Sequence, residues 1–259
     1  MSQSDKAAAV PSSRLARLAR LGSLASGVAG GMLAEGVRQW SRGNRPSVGD
    51  LLLTPGNAQR VADQLSRLRG AAMKVGQLLS MDAGDLMPPE LAAILARLRA
   101  DAQAMPMSQL VPVLEAAWGA GWDRHFERFS FTPLAAASIG QVHAAQLKSG
   151  ERLAIKVQYP GVRQSIASDV DNVATLLRVS GLLPRTLDFA PLLEEAKRQL
   201  HDEADYLKEA AYLEAYRGRL ADHGDFALPT VHRALTTPDI LAMGFMDGVP
   251  IESLDAAPQ

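Results

Sequence analysis

The sequence predicts an α+β protein in which helices come first and a small antiparallel sheet follows. Three observations support this class. Apolar residues recur at helical spacing as far as residue 118, two strand-like runs joined by a short turn lie at 141–158, and helical patterns return after residue 161. This order differs from the regular strand–helix alternation of a parallel sheet. The 259 residues allow one or two domains with a sizeable core.

Composition removes several classes of function. The chain has no cysteine, which excludes thiol nucleophiles, redox pairs and cysteine-ligated zinc. Its 27 Lys and Arg balance 28 Asp and Glu, and 5% of its residues are aromatic. Nucleic-acid binders usually carry a basic excess and aromatic stacking platforms. We therefore expect no nucleic-acid partner.

The N-terminal segment has features of a helix that contacts a membrane or a partner protein. Arginines alternate with leucines at helical spacing over residues 14–21, and the stretch 21–37 is apolar or small, with a G-x-x-x-G at Gly27 and Gly31. Glu35 and the modest apolarity disfavour a membrane-spanning helix. Four interpretations stay open: an amphipathic helix on a membrane, a helix that pairs with a partner through its small residues, an ordinary surface helix, and an organellar transit peptide.

Three helices are predicted between this segment and the sheet. The first follows Asn57, a residue type that caps helix N-termini. Its apolar stripe, at alternating spacings of three and four, consists of Val61, Leu65, Leu68, Ala72, Val75 and Leu79. The second helix begins after Pro88–Pro89, and the third covers Leu110–Trp118. The chain thus divides into a disordered or membrane- or partner-contacting segment, a helical extension and a sheet-containing domain, at residues 1–45, 46–125 and 126–259.

The sheet-containing domain begins where the pattern changes, at Phe129–Phe131. A loop of small residues, Ala135–Gly140, precedes a hairpin with strands at 141–147 and 153–158 around the turn Lys148–Gly150. The later elements are helices at 162–179 and 191–220 and short strands at Thr230–Arg233 and Ile240–Phe245.

Strand alternation makes Lys156 a candidate binding residue. Leu153, Ile155 and Val157 share one face of the second hairpin strand, so Lys156 lies on the other face with the small Ala154. A lysine there can meet an anionic ligand while Ala154 leaves room for a flat one; a solvated lysine is the alternative. The loop of small residues favours an anion, because its backbone amides can approach a phosphate.

Acidic residues gather in the predicted helix at 191–220. Asp202, Asp205 and Glu209 are spaced so that they share one helical face, where like charges repel. Such a cluster indicates an external cation, either a lysine or a metal, unless the face is simply solvated.

Lys74 is a second unusual residue. Its predicted helix contains Gly70 and Gly76, and each glycine costs about 1 kcal/mol relative to alanine. Glycines there are consistent with another element crossing close to the helix, while a routine exposed lysine is the alternative.

Four motifs follow one another between residues 74 and 209. They are Lys74-Val-Gly-Gln77, Ala135-Ala-Ala-Ser-Ile-Gly-Gln-Val142, Ala154-Ile-Lys156-Val-Gln-Tyr-Pro-Gly161 and Glu203-Ala-Asp205-Tyr206-Leu-Lys-Glu209. In this order they resemble the UbiB/AarF family of atypical protein-kinase-like proteins, which is associated with coenzyme Q biosynthesis. The resemblance implies a helical extension packed on a kinase N-lobe, meaning a small antiparallel sheet with an αC-type helix.

The resemblance implies a role for each candidate residue. Lys156 would contact the α- and β-phosphates of ATP and pair with Glu209 of helix αC. Val142 and Ala154 would enclose the adenine. The loop that replaces the glycine-rich loop of protein kinases would comprise Ala135, Ala136, Ala137, Ser138, Ile139 and Gly140.

The remaining roles concern the hinge and the extension. Met243 would be the gatekeeper, and the backbone from Gly244 to Met246 would be the hinge that reads the adenine edge. The family often has an acidic residue where Gly244 stands. The K-x-G-Q residues Lys74, Gly76 and Gln77 would fold over the cleft and face the E-x-D residues Glu203 and Asp205.

The catalytic half of a kinase is not recognisable in this sequence. Kinase chemistry needs a catalytic-loop Asp, an Asn and a D-F-G Asp, which in this family follow the hinge. His223-Gly224-Asp225, Asp188-Phe189 and Asp225-Phe226 imitate these motifs but precede the hinge, so we reject them. We expect an N-lobe whose C-lobe is missing and whose enzymatic status is uncertain, with no catalytic residue assigned and metal binding unknown.

The implied function is the N-terminal part of an atypical kinase or ATPase that supports coenzyme Q biosynthesis. The full-length protein would use ATP or ADP with Mg²⁺, whereas this chain would bind nucleotide weakly or not at all. A non-catalytic nucleotide- or lipid-binding scaffold at a membrane is the alternative. We expect a cytoplasmic or membrane-associated protein, mitochondrial if eukaryotic, with a membrane surface, quinone-pathway proteins or a second copy as partners.

Overall fold

The computed structural model of the chain describes residue 65 and residues 68–83, 104–179 and 190–249. Five helices lie in these ranges: α1 Arg69–Ala83, α2 Met107–Trp118, α3 Val162–Val179, α4 Ala190–Glu203 and α5 Tyr206–Arg219. The strands are β1 Phe126–Ala136, β2 Gly140–Leu147, β3 Arg152–Gln158 and β4 Ile240–Gly244. Two short 3₁₀ helices cover Trp122–His125 and Arg233–Leu235. The predicted α+β class is confirmed.

The strands form one antiparallel sheet in the order β1-β2-β3-β4. β2 and β3 are the predicted hairpin, each one residue longer at its start than the sequence pattern indicated. Gly150 closes their turn with a φ of 91°, a conformation that glycine adopts without steric cost. β4 pairs with the other side of β3, which places Lys156 in a central strand.

The sheet and helices enclose two apolar cores. As alternation predicts, Leu153, Ile155 and Val157 of β3 are fully buried, and they pack in a core with α2 and aromatic residues around Trp122. The second core lies among α1, α3, α4 and α5 and includes four members of the predicted apolar stripe, namely Leu65, Ala72, Val75 and Leu79. The first core covers the back of β3. On the opposite face, Leu241, which pairs with Lys156, packs into the second core, and the candidate site lies beside it.

The predicted helix at 191–220 is two helices, so the prediction of one acidic face was wrong. The break lies at Ala204–Asp205. In a continuous helix the Ala204 carbonyl would accept from the Lys208 amide, but it accepts instead from Gln158 Nε2 at 2.9 Å and from Arg163 at 2.6 Å. The Lys208 amide donates to the Asp205 side chain at 3.2 Å, which caps α5. Asp202 and Asp205 therefore do not share a helical face with Glu209.

Two smaller predictions also need correction. Ala135 and Ala136 belong to β1 and Gly140 opens β2, so the loop of small residues is shortened to 137–139. Pairing of Ala135 with Val142 extends the ladder into the alanines. The predicted strand Thr230–Arg233 is reduced to a single bridge between Val231 and Met243, because the chain turns into a 3₁₀ helix at Arg233.

Several predictions lie outside the described residues. They concern the segment 1–45, the start of the first helix including Val61, the helix after Pro88–Pro89, the Asp188-Phe189 pair and the similarity near Ile251. The helices at 110–118 and 162–179 are confirmed, the former with a start three residues earlier.

A buried chain of hydrogen bonds ties the segment before α2 to the sheet. The Met105 amide donates to Gln141 Oε1 at 2.8 Å, and Gln141 Nε2 lies 2.8 Å from His143 Nε2. His143 Nδ1 lies 2.7 Å from the Ser130 carbonyl, and its ring stacks on Phe129. Since the Gln141 oxygen is taken, its amide nitrogen donates to His143, which must be neutral with its proton on Nδ1.

We expect the buried hydrogen bonds of His143 to make the protein less stable in acid. Burial lowers the His143 pKa from its ordinary value of 6.5, against a smaller opposite effect of the Ser130 carbonyl. The unfolded state therefore binds more protons just below pH 6.5, and the free energy of unfolding should decrease as pH falls through that value. Urea denaturation from pH 8 to pH 5 measures this. A His143→Gln variant should lose this part of the pH dependence, and an unchanged slope in that variant would contradict the assignment.

Candidate functional site

The face of the sheet opposite the α2 core carries the predicted ligand-binding residues. In the antiparallel ladders Val142 pairs with Lys156, and Ala154 pairs with Met243. Paired residues point to the same side of a sheet. These four side chains therefore line one surface in the centre of the sheet, beside the turn at 137–139.

Lys156 and Glu209 form a close ion pair on this surface. Lys156 Nζ lies 2.7 and 2.8 Å from the two carboxylate oxygens of Glu209. Glu209 is in the first turn of α5, where a carboxylate also interacts favourably with the helix dipole. The ion pair holds the Lys156 ammonium group in position. The side chain is still accessible, because 17% of its surface is exposed.

A second ion pair connects Lys74 of α1 to Glu203, the last residue of α4. Lys74 Nζ binds one carboxylate oxygen of Glu203, and the Ser138 hydroxyl donates to the other at 3.0 Å. One carboxylate thus joins three predicted motifs: the K-x-G-Q helix, the Ala-rich turn and the E-x-D residues. Of the three acidic residues that indicated a cation, Glu209 binds Lys156 and Asp202 binds Lys208 at 2.6 Å. The Asp205 side chain accepts instead from the Lys208 backbone amide.

The described residues hold no cluster of three or more His, Cys, Asp or Glu side chains that could bind a metal ion. In the same ranges, no helix combines the length and apolarity needed to cross a bilayer.

Helix α1 crosses the Ala-rich turn at Gly70. A Cβ at Gly70 would lie 2.8 Å from the Ser138 carbonyl oxygen and 3.1 Å from Ile139 Cγ2. Real Cβ atoms do not approach backbone oxygen so closely, so only glycine permits this crossing. The close approach predicted from the helix glycines is observed at Gly70, and Gly76 is buried.

We expect Gly70→Ala to destabilise the chain by about 1–3 kcal/mol, because the new methyl group pushes α1 away from Ser138. Urea denaturation measures the effect. Gly218→Ala in α5 is the matched control, since its Cβ meets nothing within 4 Å and should add up to about 1 kcal/mol of stability. If Gly70→Ala stabilises the chain as the control does, α1 does not pack on the turn as described.

Backbone hydrogen bonds hold the predicted hinge, residues 244–246, which begins at the last residue of β4. The Gly244 amide donates to the Thr230 carbonyl at 2.8 Å, and the Phe245 amide donates to the Arg152 carbonyl at 2.9 Å. The Arg152 side chain also binds Asp247, at 2.9 and 3.2 Å. Met246 is exposed at the end of this predicted hinge.

Two predicted residues are placed apart from the ion pairs. The Gln77 side chain is exposed on α1, and Asp205 serves as the N-cap of α5. Sequence reasoning missed Tyr206, which follows Asp205 of the E-x-D motif, is fully buried and has its ring centroid 4.8 Å from Lys156 Nζ. An aromatic residue inside the acidic motif was the available signal.

Comparisons with known proteins support the family resemblance that the four motifs indicated. The profile of the ABC1 atypical kinase-like domain matches residues 97–259. The protein named "Atypical kinase COQ8, mitochondrial" from Saccharomyces cerevisiae is 41% identical over 254 residues, covering 98% of this chain and 51% of the relative. "Atypical kinase coq-8, mitochondrial" from Caenorhabditis elegans is 38% identical, covering 96% of this chain and 34% of the relative. The chain thus spans about half or less of the length of these curated relatives.

A solved structure of Rv3197 from Mycobacterium tuberculosis, in complex with erythromycin, is 32% identical with a TM-score of 0.47, covering 76% of this chain and 51% of that one. The profile match includes more than half of the residues, with β1 to β4, Lys156 and Glu209 all inside it. The chain therefore belongs to the ABC1 atypical kinase-like family, the UbiB/AarF family that its four motifs resemble.

Proposed function

We propose that this chain forms the nucleotide-binding half of an atypical kinase or ATPase. The observation that carries the proposal is the ion pair of Lys156 and Glu209 beside the Ala-rich turn, with Lys156 Nζ at 2.7 and 2.8 Å from the carboxylate. In kinases a strand lysine held by a helix glutamate contacts the α- and β-phosphates, and the pairing fixes the position of the ammonium group. A partly exposed, positioned lysine is what an anionic ligand requires.

The described residues fit ATP in three respects. Lys156 would hold phosphate oxygens, and the amides of residues 137–139 would approach them from the turn. Val142, Ala154 and Met243 offer an uncharged surface for a flat base. The hinge backbone near Gly244 and Met246 would bind the edge of adenine. The bound nucleotide would supply the phosphoryl group, and Mg²⁺ ligands and catalytic groups are not assigned to this chain.

The biological role that we propose is support of coenzyme Q biosynthesis. It rests on the similarity to relatives named as mitochondrial COQ8 atypical kinases, with 41% identity in the yeast protein. Because this chain corresponds to about half of that relative, the role belongs to the longer architecture. A mitochondrial location in a eukaryotic source, or association with a bacterial membrane, is part of the same proposal.

A non-catalytic scaffold that contacts a membrane, quinone-pathway proteins or a second copy is the second candidate. The observation that favours it is a set of large exposed apolar side chains on α5. They are Leu207, Tyr212 and Tyr216, with exposed fractions of 42, 56 and 59%. Exposed apolar surface favours association with another surface. Under this candidate, function would survive loss of the Lys156 ammonium group.

A complementation experiment separates the two candidates. The chain is joined to the C-terminal half of the yeast COQ8 relative and expressed in yeast that lack the native protein, and cellular coenzyme Q is quantified. We expect restored coenzyme Q with the wild-type sequence and with Lys148→Ala, and loss with Lys156→Ala at equal protein level. Restoration by the Lys156→Ala variant would support the scaffold and contradict the nucleotide-dependent role.

A further inference from the structure

Tyr206 combines complete burial with an unpaired hydroxyl. Its side chain has no exposed surface, yet among the described residues its hydroxyl has no hydrogen-bond partner. Buried polar groups are nearly always paired, because leaving one unpaired forfeits the hydrogen bonds it had with water. An unpaired buried hydroxyl beside a candidate ligand site therefore needs an explanation.

Tyr206 lies next to Lys156 and to Gly140, the residue that follows the turn at 137–139. Its ring lies under Lys156, with Nζ 4.8 Å from the ring centroid. Its hydroxyl lies under Gly140, since a Cβ at Gly140 would come within 2.9 Å of it. Burial, with a smaller effect of the nearby Glu209 carboxylate, raises the pKa of the phenol far above its ordinary value. The hydroxyl therefore stays protonated and is available as a donor.

In the conformation described, no carbonyl of the Ala-rich turn accepts from this donor. The Gly140 carbonyl accepts from the Ala137 amide at 2.9 Å, and the Ile139 carbonyl accepts from the Tyr159 amide at 2.9 Å. The Ser138 carbonyl faces the Gly70 position of α1, and the Ser138 hydroxyl is bound to Glu203. The turn is thus bonded to itself and to its neighbours, and none of its carbonyls is bonded to Tyr206.

A phosphate group would change this arrangement. Its oxygens compete with the Glu203 carboxylate for the Ser138 hydroxyl and attract the amides of the turn. When those amides turn toward the phosphate, the carbonyls of the same peptide groups turn away from it, toward the interior where Tyr206 lies.

We propose that Tyr206 is a positioning residue of the phosphate site: its hydroxyl is unpaired in the free protein and donates to a carbonyl of the Ala137–Gly140 turn when a nucleoside diphosphate is bound. This inference rests on the proposed nucleotide site. The turn would then have different hydrogen-bonding partners in the free and bound states, and the Tyr206 hydroxyl would be paired only in the bound state.

The test is Tyr206→Phe in the 259-residue chain, which keeps the ring and removes only the hydroxyl. Without ligand, we expect a melting temperature equal to or above that of the wild type, because an unsatisfied buried group is removed. With ADP at millimolar concentrations, we expect affinity to fall about fivefold, the worth of one net hydrogen bond. Tyr216→Phe, an exposed tyrosine on the same helix, should change neither measurement.

Weaker ADP binding without any loss of stability in the free protein distinguishes this role from a merely structural one. A lower melting temperature for free Tyr206→Phe would mean that the hydroxyl is already paired, with a buried water for example, and would overturn the inference. If the wild type binds ADP and Tyr206→Phe binds it with the same affinity, this inference is overturned while the proposed nucleotide site stands. Absence of any ADP response in the wild type would instead overturn the proposed nucleotide site, and this inference with it.

Discussion

Lys156→Ala should weaken ADP binding by about 10- to 100-fold. A hydrogen bond to a charged partner contributes about 1.5–3 kcal/mol, and each 1.4 kcal/mol corresponds to a factor of ten in affinity. Lys156 is the residue whose ammonium group is both positioned by Glu209 and partly exposed on the candidate face. Removing it also leaves Glu209 without this partner. The affinity itself must therefore be measured, by the ADP-induced shift in melting temperature over a concentration series.

Two variants make this experiment specific. Lys148→Ala removes an exposed lysine from the hairpin turn and should leave the ADP response unchanged. Glu209→Gln keeps the size of the side chain and removes the charge that holds Lys156, so it should weaken ADP binding less than Lys156→Ala does. An ADP response in Lys156→Ala equal to that of the wild type would show that the ligand does not contact this lysine.

Gly140→Ala should be the most destabilising single methyl addition on this face. The new Cβ would lie 2.4 Å from the Val157 carbonyl oxygen and 2.9 Å from the Tyr206 hydroxyl. The Val157 backbone is fixed in the central strand and cannot move aside. We expect a loss of about 2–3 kcal/mol in the free energy of unfolding, typical of overpacking in a buried position.

The matched control for that variant is Gly244→Ala. A Cβ at Gly244 would meet its nearest atom, the Thr230 backbone nitrogen, at 3.6 Å, which is ordinary van der Waals contact. It should therefore change stability far less. Urea denaturation of both variants decides the matter. Equal stability of Gly140→Ala and Gly244→Ala would contradict the packing of β2, β3 and Tyr206.

Much of the sheet could be predicted because strand alternation is a local property of the sequence. Leu153, Ile155 and Val157 indicated which face of β3 is buried, and this fixed the direction in which Lys156 points. The hairpin turn was equally local, since Gly150 marks the position that needs a positive φ.

The division of the acidic helix could not be predicted because its cause is distant in sequence. Local propensity is continuous through residues 191–220, and the break appears because Gln158 and Arg163 take the Ala204 carbonyl. Helix propensity is a weak influence that tertiary contacts override. The pairing of Ser138 with Glu203 was missed for the same reason, since 65 positions separate them.

The central claim is that Lys156 faces the phosphates of a bound nucleotide, and an ATP acyl phosphate tests it most directly. The ε-amine of a lysine that lies near the phosphates attacks the acyl carbon, forms an amide and releases ATP. The modified lysines are then identified by peptide mass spectrometry, with and without competing ADP. We predict that Lys156 is labelled and that ADP protects it, while exposed Lys148 is labelled slowly and without protection. Labelling of Lys156 that ADP does not reduce, or labelling at Lys148 alone, would contradict the nucleotide site.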